Sequence, residues 1–181
     1  MEEMLDFCRV KKIDEKGFGF LKSLYFPGDV FFHFSQIKKE DFLEKLQEMK
    51  RGEFFLFYTV KLQPNGKMKA HKIWYSLEQA PNEYYPAFVK RIIIEFNEGR
   101  TNLFDLLFIF GELKKLNLLS PEDVAQILKS KKVLFLPSTI LDYLTKSEFE
   151  EFKQILKIEE YTNSVDKPSW FEDIINYLPK E

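Results

Sequence analysis

The sequence is poor in the residues that build metal centres and covalent staples. Of its 181 residues one is cysteine, Cys8, and two are histidine, His33 and His71. A single thiol excludes a disulfide framework and a thiolate zinc cluster, so Cys8 reads as a small packed hydrophobe. There is no paired-histidine metal motif, no phosphate-cradling glycine loop and no nucleophile elbow. The chain therefore reads as a non-enzyme with no cofactor. A basic surplus is also missing: 27 Lys and Arg stand against 29 Asp and Glu, a net charge of −2. That excludes a protein coating duplex DNA over its whole surface. The longest apolar run, Leu106 to Gly111, is far too short to cross a bilayer. The opening Met1-Glu2-Glu3-Met4 is acidic where a secretory signal would be basic. These absences together predict a soluble, cytoplasmic protein with no membrane partner.

What the chain has is phenylalanine: 20 residues, 11 of them before residue 76. In that part, short runs rich in Phe, Val and Ile alternate with turn signals, the pattern of a small all-β domain. Strands are expected near 5–13, 17–24, 29–34, 53–62 and 67–74, with a short helix at 40–50. Pro64-Asn65-Gly66-Lys67 has Asn-Gly at its centre, the strongest local hairpin signal. After Ala80-Pro81-Asn82 the period changes from two to about 3.6. Phe88, Ile92 and Phe96 share a helical face that Gly99 ends, and Asn102 caps a helix carrying Leu106, Phe110 and Leu113. Ser120-Pro121-Glu122-Asp123 opens a third helix, Ser138 or Thr139 a fourth, Ser147 a fifth and Ser169 a last short one. The expected organisation is an all-β domain at 1–76 and an all-α domain at 82–181.

Charge divides the same way. Residues 1–75 hold 14 basic and 11 acidic side chains, residues 76–181 hold 13 and 18. Such asymmetry points to different partners for the two halves. In the helical half, Ile92-Ile93-Ile94 and Val133-Leu134-Phe135-Leu136 suggest a surface for a protein partner or for self-association. Ser120 to Leu144 also fits a helix-turn-helix, a reading that the acidic balance disfavours.

The most informative segment is Lys16-Gly17-Phe18-Gly19-Phe20-Leu21 followed by Asp29-Val30-Phe31-Phe32-His33-Phe34-Ser35. Alternation in a strand puts Phe18 and Phe20 on one face and, on the neighbouring strand, Phe31 and His33. Val30, Phe32 and Phe34 take the opposite face, where Phe32 reads as core. Four flat rings displayed together suit unpaired bases, since stacking tolerates any base. His33 has no acid or nucleophile beside it to make it a catalytic base, and His71 reads as an exposed strand residue.

These paired runs resemble the ribonucleoprotein motifs of the cold-shock domain family, a five-stranded OB-type barrel. Val10-Lys11 resembles the opening of that family's first strand, Phe42 stands at its loop aromatic, and Lys69-Ala70-His71-Lys72-Ile73 resembles its closing strand. The resemblance covers roughly residues 5–74, and the helical half resembles no family. It implies a nucleic-acid face made of Lys11, Lys12, Lys16, Phe18, Phe20, Phe31, His33, Phe34 and Phe42. Phe34 enters by resemblance alone. The family's usual Trp-Phe is replaced here by Lys12-Ile13, which trades a stacking ring for a cation. The expected fold is thus a five-stranded OB-type barrel followed by a small helical bundle. The expected function is binding of single-stranded RNA or DNA, with a role in nucleic-acid chaperoning or transcript-level regulation. The alternative is an adaptor in which the barrel or the helices contact transcription or translation machinery.

Overall fold

The computed structural model describes residues 3–10, 12–13, 17–33, 55–62, 64–133, 137–168 and 170–179. The expected helix at 40–50 lies outside them. Two compact units divide the chain, Met1–Phe88 and Val89–Glu181.

In the first unit the strands are β1 (Leu5–Arg9), β2 (Lys12–Ile13), β3 (Phe18–Lys22), β4 (Asp29–His33), β5 (Phe55–Leu62) and β6 (Met68–Trp74). Their order in the sheet is β1-β5-β6-β4-β3-β2. The single strand expected over 5–13 is broken into β1 and β2, with the fully buried Val10 beyond the end of β1. β1 pairs with β5 and β2 with β3. The two ends of the sheet are therefore consecutive in the chain, which curls the sheet into a five-stranded OB-type barrel. Asn-Gly does centre the β5–β6 turn: Gly66 has φ +78°, and the Asn65 side-chain oxygen accepts the Lys67 N–H at 3.0 Å.

Alternate positions fill the interior: Cys8 and Val10, Leu21, Val30 and Phe32, Leu56, Tyr58 and Val60, and Ala70. Burying one such side chain stabilises the fold by about 1.5–3 kcal/mol. A register shift between Tyr58 and Val60 lets Ala70 and Ile73 both join this core. Asp6 is a fully buried carboxylate beside it. One of its oxygens accepts the N–H groups of Phe7 at 2.9 Å and Leu24 at 3.0 Å, the other the Ser23 hydroxyl at 2.6 Å. The Asp6 side chain thus pins the start of the β3–β4 connection.

β1 and β5 are buried on both faces. Leu5, Phe7 and Phe57 point away from the interior, yet each is at most 2% exposed. Phe7 stacks on Phe55 and Phe57, with centroids 5.9 and 6.1 Å apart, and meets the edge of Phe88. The segment past β6 is tied down by the Tyr85 hydroxyl, which donates to the carbonyls of Leu77 and Ala80. Glu3 binds both His71 and the Tyr84 hydroxyl.

The helices are α1 (Tyr85–Glu98), α2 (Leu103–Lys115), α3 (Pro121–Leu128), α4 (Ser138–Leu141), α5 (Lys146–Ile155), α6 (Ile158–Tyr161) and α7 (Phe171–Ile175). The division between the two units falls inside α1. Phe88, Ile92 and Phe96 are buried along α1, as the period requires. Asn102 caps α2 by accepting the Asp105 N–H, and Ser120 caps α3 through a reciprocal pair with Asp123. Three expectations need correction. The cap of α5 is Thr145, paired with Glu148, and Ser147 lies inside the helix. The last short helix, expected to run through Tyr177, ends at Ile175. The helix after α3 has only four residues, too short for a recognition helix in a groove. Gly99 follows α1 for reasons of space. A Cβ there would lie 1.8 Å from a carboxylate oxygen of the buried Glu95. The Lys132 ammonium then donates to the carbonyls of Glu95, Gly99 and Thr101 at 2.6–2.8 Å. Among the described residues no helix is long and apolar enough to cross a membrane.

Candidate nucleic-acid interface

β3 and β4 run antiparallel with Phe18 opposite His33, Gly19 opposite Phe32 and Phe20 opposite Phe31. Leu21, Val30 and Phe32 are fully buried, so the alternate positions Phe18, Phe20, Phe31 and His33 face out. Gly17, just before β3, has φ +88°, a backbone that glycine adopts without strain. Gly19 leaves the inward position opposite Phe32 without a side chain.

Three outward rings form a nearly equilateral triangle. Centroids are 5.9 Å apart for Phe18–Phe20 and 5.8 Å for Phe18–Phe31 and Phe20–Phe31. Phe20 is 41% exposed, while Phe18, Phe31 and His33 are half-buried. Ring pairs at this spacing stabilise one another by about 0.5–1.5 kcal/mol. They still leave π-faces and edges in water, and an exposed apolar cluster of this kind marks an interaction site.

Of the lysines read from the sequence, Lys12 stands in β2 as the Cα partner of Phe20. Lys11, Lys16, Phe34 and Phe42 lie outside the described residues. Two lysines that the sequence reading did not place in the site join it by register. Phe31 is the partner of Lys69 across the parallel β4–β6 pair, and Lys69 is the partner of Lys61 across β5–β6. No local signal gives the Phe31–Lys69 pairing, because it joins strands far apart in sequence, whereas Lys61 and Lys69 face each other across the Asn65-Gly66 hairpin. His71 is occupied by Glu3. Burial works to raise the Glu3 carboxyl, but the contacts with His71 and Tyr84 outweigh it and hold it below its usual value. Among the described residues no cluster of three His, Cys, Asp or Glu could hold a metal ion.

Residues 8–76 match the sequence profile of the "Cold-shock" DNA-binding domain. The match spans the barrel, and the helices lie outside it. No curated protein matches the chain. Among solved structures, one chain of the a/eIF2alpha-aDim2p-rRNA complex from Pyrococcus horikoshii OT3 aligns with 18% identity and a TM-score of 0.36. The alignment covers 98% of this chain and 96% of that one. A similarity that low carries no argument about fold or function.

Proposed function

We propose that this protein binds single-stranded RNA or DNA by stacking unpaired bases on Phe18, Phe20 and Phe31, with His33 beside them and lysines holding the phosphates. It performs no chemistry on the strand, and its role is nucleic-acid chaperoning or transcript-level regulation. The observation that carries this reading is the ring triangle on the outer face of a cold-shock barrel. The surface asks nothing of the base except a π-face, which suits a binder of mixed sequence.

The test is titration of the full-length protein with short single-stranded oligonucleotides. Phe18→Ala and Phe31→Ala should each weaken binding by about 1–3 kcal/mol, the range for losing a stacked base. The variants should remain folded, because both rings face outward. Folded variants that bind like wild type sink the stacking assignment. The second reading, a protein-contacting adaptor, is favoured by Phe104, which is 81% exposed on α2. Weak oligonucleotide binding indifferent to the rings would point to it.

A further inference from the structure

The barrel wall carries a row of residues that the stacking reading does not require. Taken by Cα partner across the sheet, the row is Lys12, Phe20, Phe31, Lys69 and Lys61, on β2, β3, β4, β6 and β5. Residues paired in register share a face. Val60 and Ala70, the inward neighbours of the last two, are buried, so both lysines belong to the outer face that carries the rings. Lys61 is exposed and Lys69 half-buried. Among the described residues neither ammonium has an ion-pair partner. Like charges directly opposite one another across a strand pair are destabilising. Here two stand opposed with no described carboxylate to relieve them, beside a surface shaped for bases.

We propose that Lys69 and Lys61 form a phosphate track that leads a bound single strand off the ring triangle and across β6 and β5. The track rests on the stacking reading above and sets the direction in which the strand leaves the rings. Neighbouring strands lie about 4.8 Å apart, so the two lysine backbones are roughly 5 and 10 Å from that of Phe31. Even at the roughly 3.4 Å per nucleotide of a stacked helix, that distance takes one to three nucleotides.

The test uses the full-length protein and oligothymidylates of about four and about twelve nucleotides, within the site sizes of single OB barrels. The variants are the double Lys61→Gln/Lys69→Gln, the single Phe31→Ala, and a double Lys90→Gln/Lys129→Gln in the helical unit as a control for net charge. The track double variant should bind the short probe like wild type and the long probe more weakly. Its log–log salt slope on the long probe should be shallower by about 1.4, two phosphates at about 0.7 each. Raising salt from about 50 to 200 mM then costs wild type about sevenfold more affinity than the double variant. The control should keep the wild-type slope. A wild-type slope in the track variant, with Phe31→Ala still weakened, overturns the track and leaves stacking standing. An equal loss in the control also overturns it, by making the effect one of net charge. If Phe31→Ala and the track variant both bind like wild type, the stacking reading falls and the track with it.

Discussion

The ring of Phe88 meets that of Phe7 edge-on, with centroids 6.0 Å apart and planes at 89°. This contact divides the outer surface of the barrel into two kinds. On β1 and β5 the outward rings are covered, and one of the covering residues comes from beyond the last strand. On β3 and β4 the outward rings remain in water. Phenylalanines with the same position relative to the interior thus serve as core on one side and as surface on the other.

A fragment of residues 1–76 keeps all six strands but loses Phe88. It should unfold at lower urea than a fragment of residues 1–98, because Phe7 and its neighbours become exposed. In the full chain, Phe88→Ala should cost about 3–5 kcal/mol, the range for truncating a buried phenylalanine. Equal urea midpoints for the two fragments would show that the barrel needs no such cover.

Lys12 is the Cα partner of Phe20. Lys12→Trp places an indole beside the ring triangle and removes one cation. Affinity for single strands should rise through the added stack, and the salt slope should flatten by up to about 0.7. A steeper slope, measured between low and moderate salt, would contradict this account of the site.

Burial pushes the Asp6 carboxyl up to about 7 from its ordinary 3.8, against the pull of its hydrogen bonds from Ser23, Leu24 and Phe7. A folded-state value above the unfolded one means that the native protein holds this proton more tightly. The resulting stabilisation is complete below about pH 4 and is lost as pH rises toward 7. The stability of wild type relative to Asp6→Asn should therefore fall by up to roughly 4 kcal/mol across that window. Urea unfolding at several pH values measures it, and a flat difference curve would refute the assignment.

Gly99→Ala forces the Glu95 carboxylate aside, since the new Cβ would lie 1.8 Å from it. Glu95 is 2% exposed and accepts hydrogen bonds from Thr101 at 2.7 Å and Arg91 at 3.2 Å. Disturbing this buried acceptor should cost about 1–3 kcal/mol. Thr101→Val and Gly99→Ala should then be non-additive in a double-mutant cycle, because they disturb the same carboxylate.

The parts of this fold that follow from short-range rules were legible in the sequence. Phe18 and Phe20 alternate around a glycine, Asn65-Gly66 makes its turn, and Asn102 and Ser120 cap their helices. Thr145 and Ser147 show where such rules stop, because each has an acid three residues on. Thr145 wins the cap, with Lys146 opening the helix and Glu148 closing the reciprocal bonds. Gly99 looked like a conformational stop and is instead a vacancy for Glu95. Lys69, opposite Phe31, was hidden for a different reason. A β4–β6 pairing is set by how the barrel closes, which no window of neighbouring residues encodes.

The three carbonyls gathered by Lys132 also bear on the order of events at the ribosome. The ammonium that completes the end of α1 belongs to a residue 33 positions after Gly99. At about 5–20 residues per second, roughly 2–7 s pass between the synthesis of those two residues. In that interval the carbonyls of Glu95, Gly99 and Thr101 lack their Lys132 partner, so this end of α1 is finished by a side chain that arrives late.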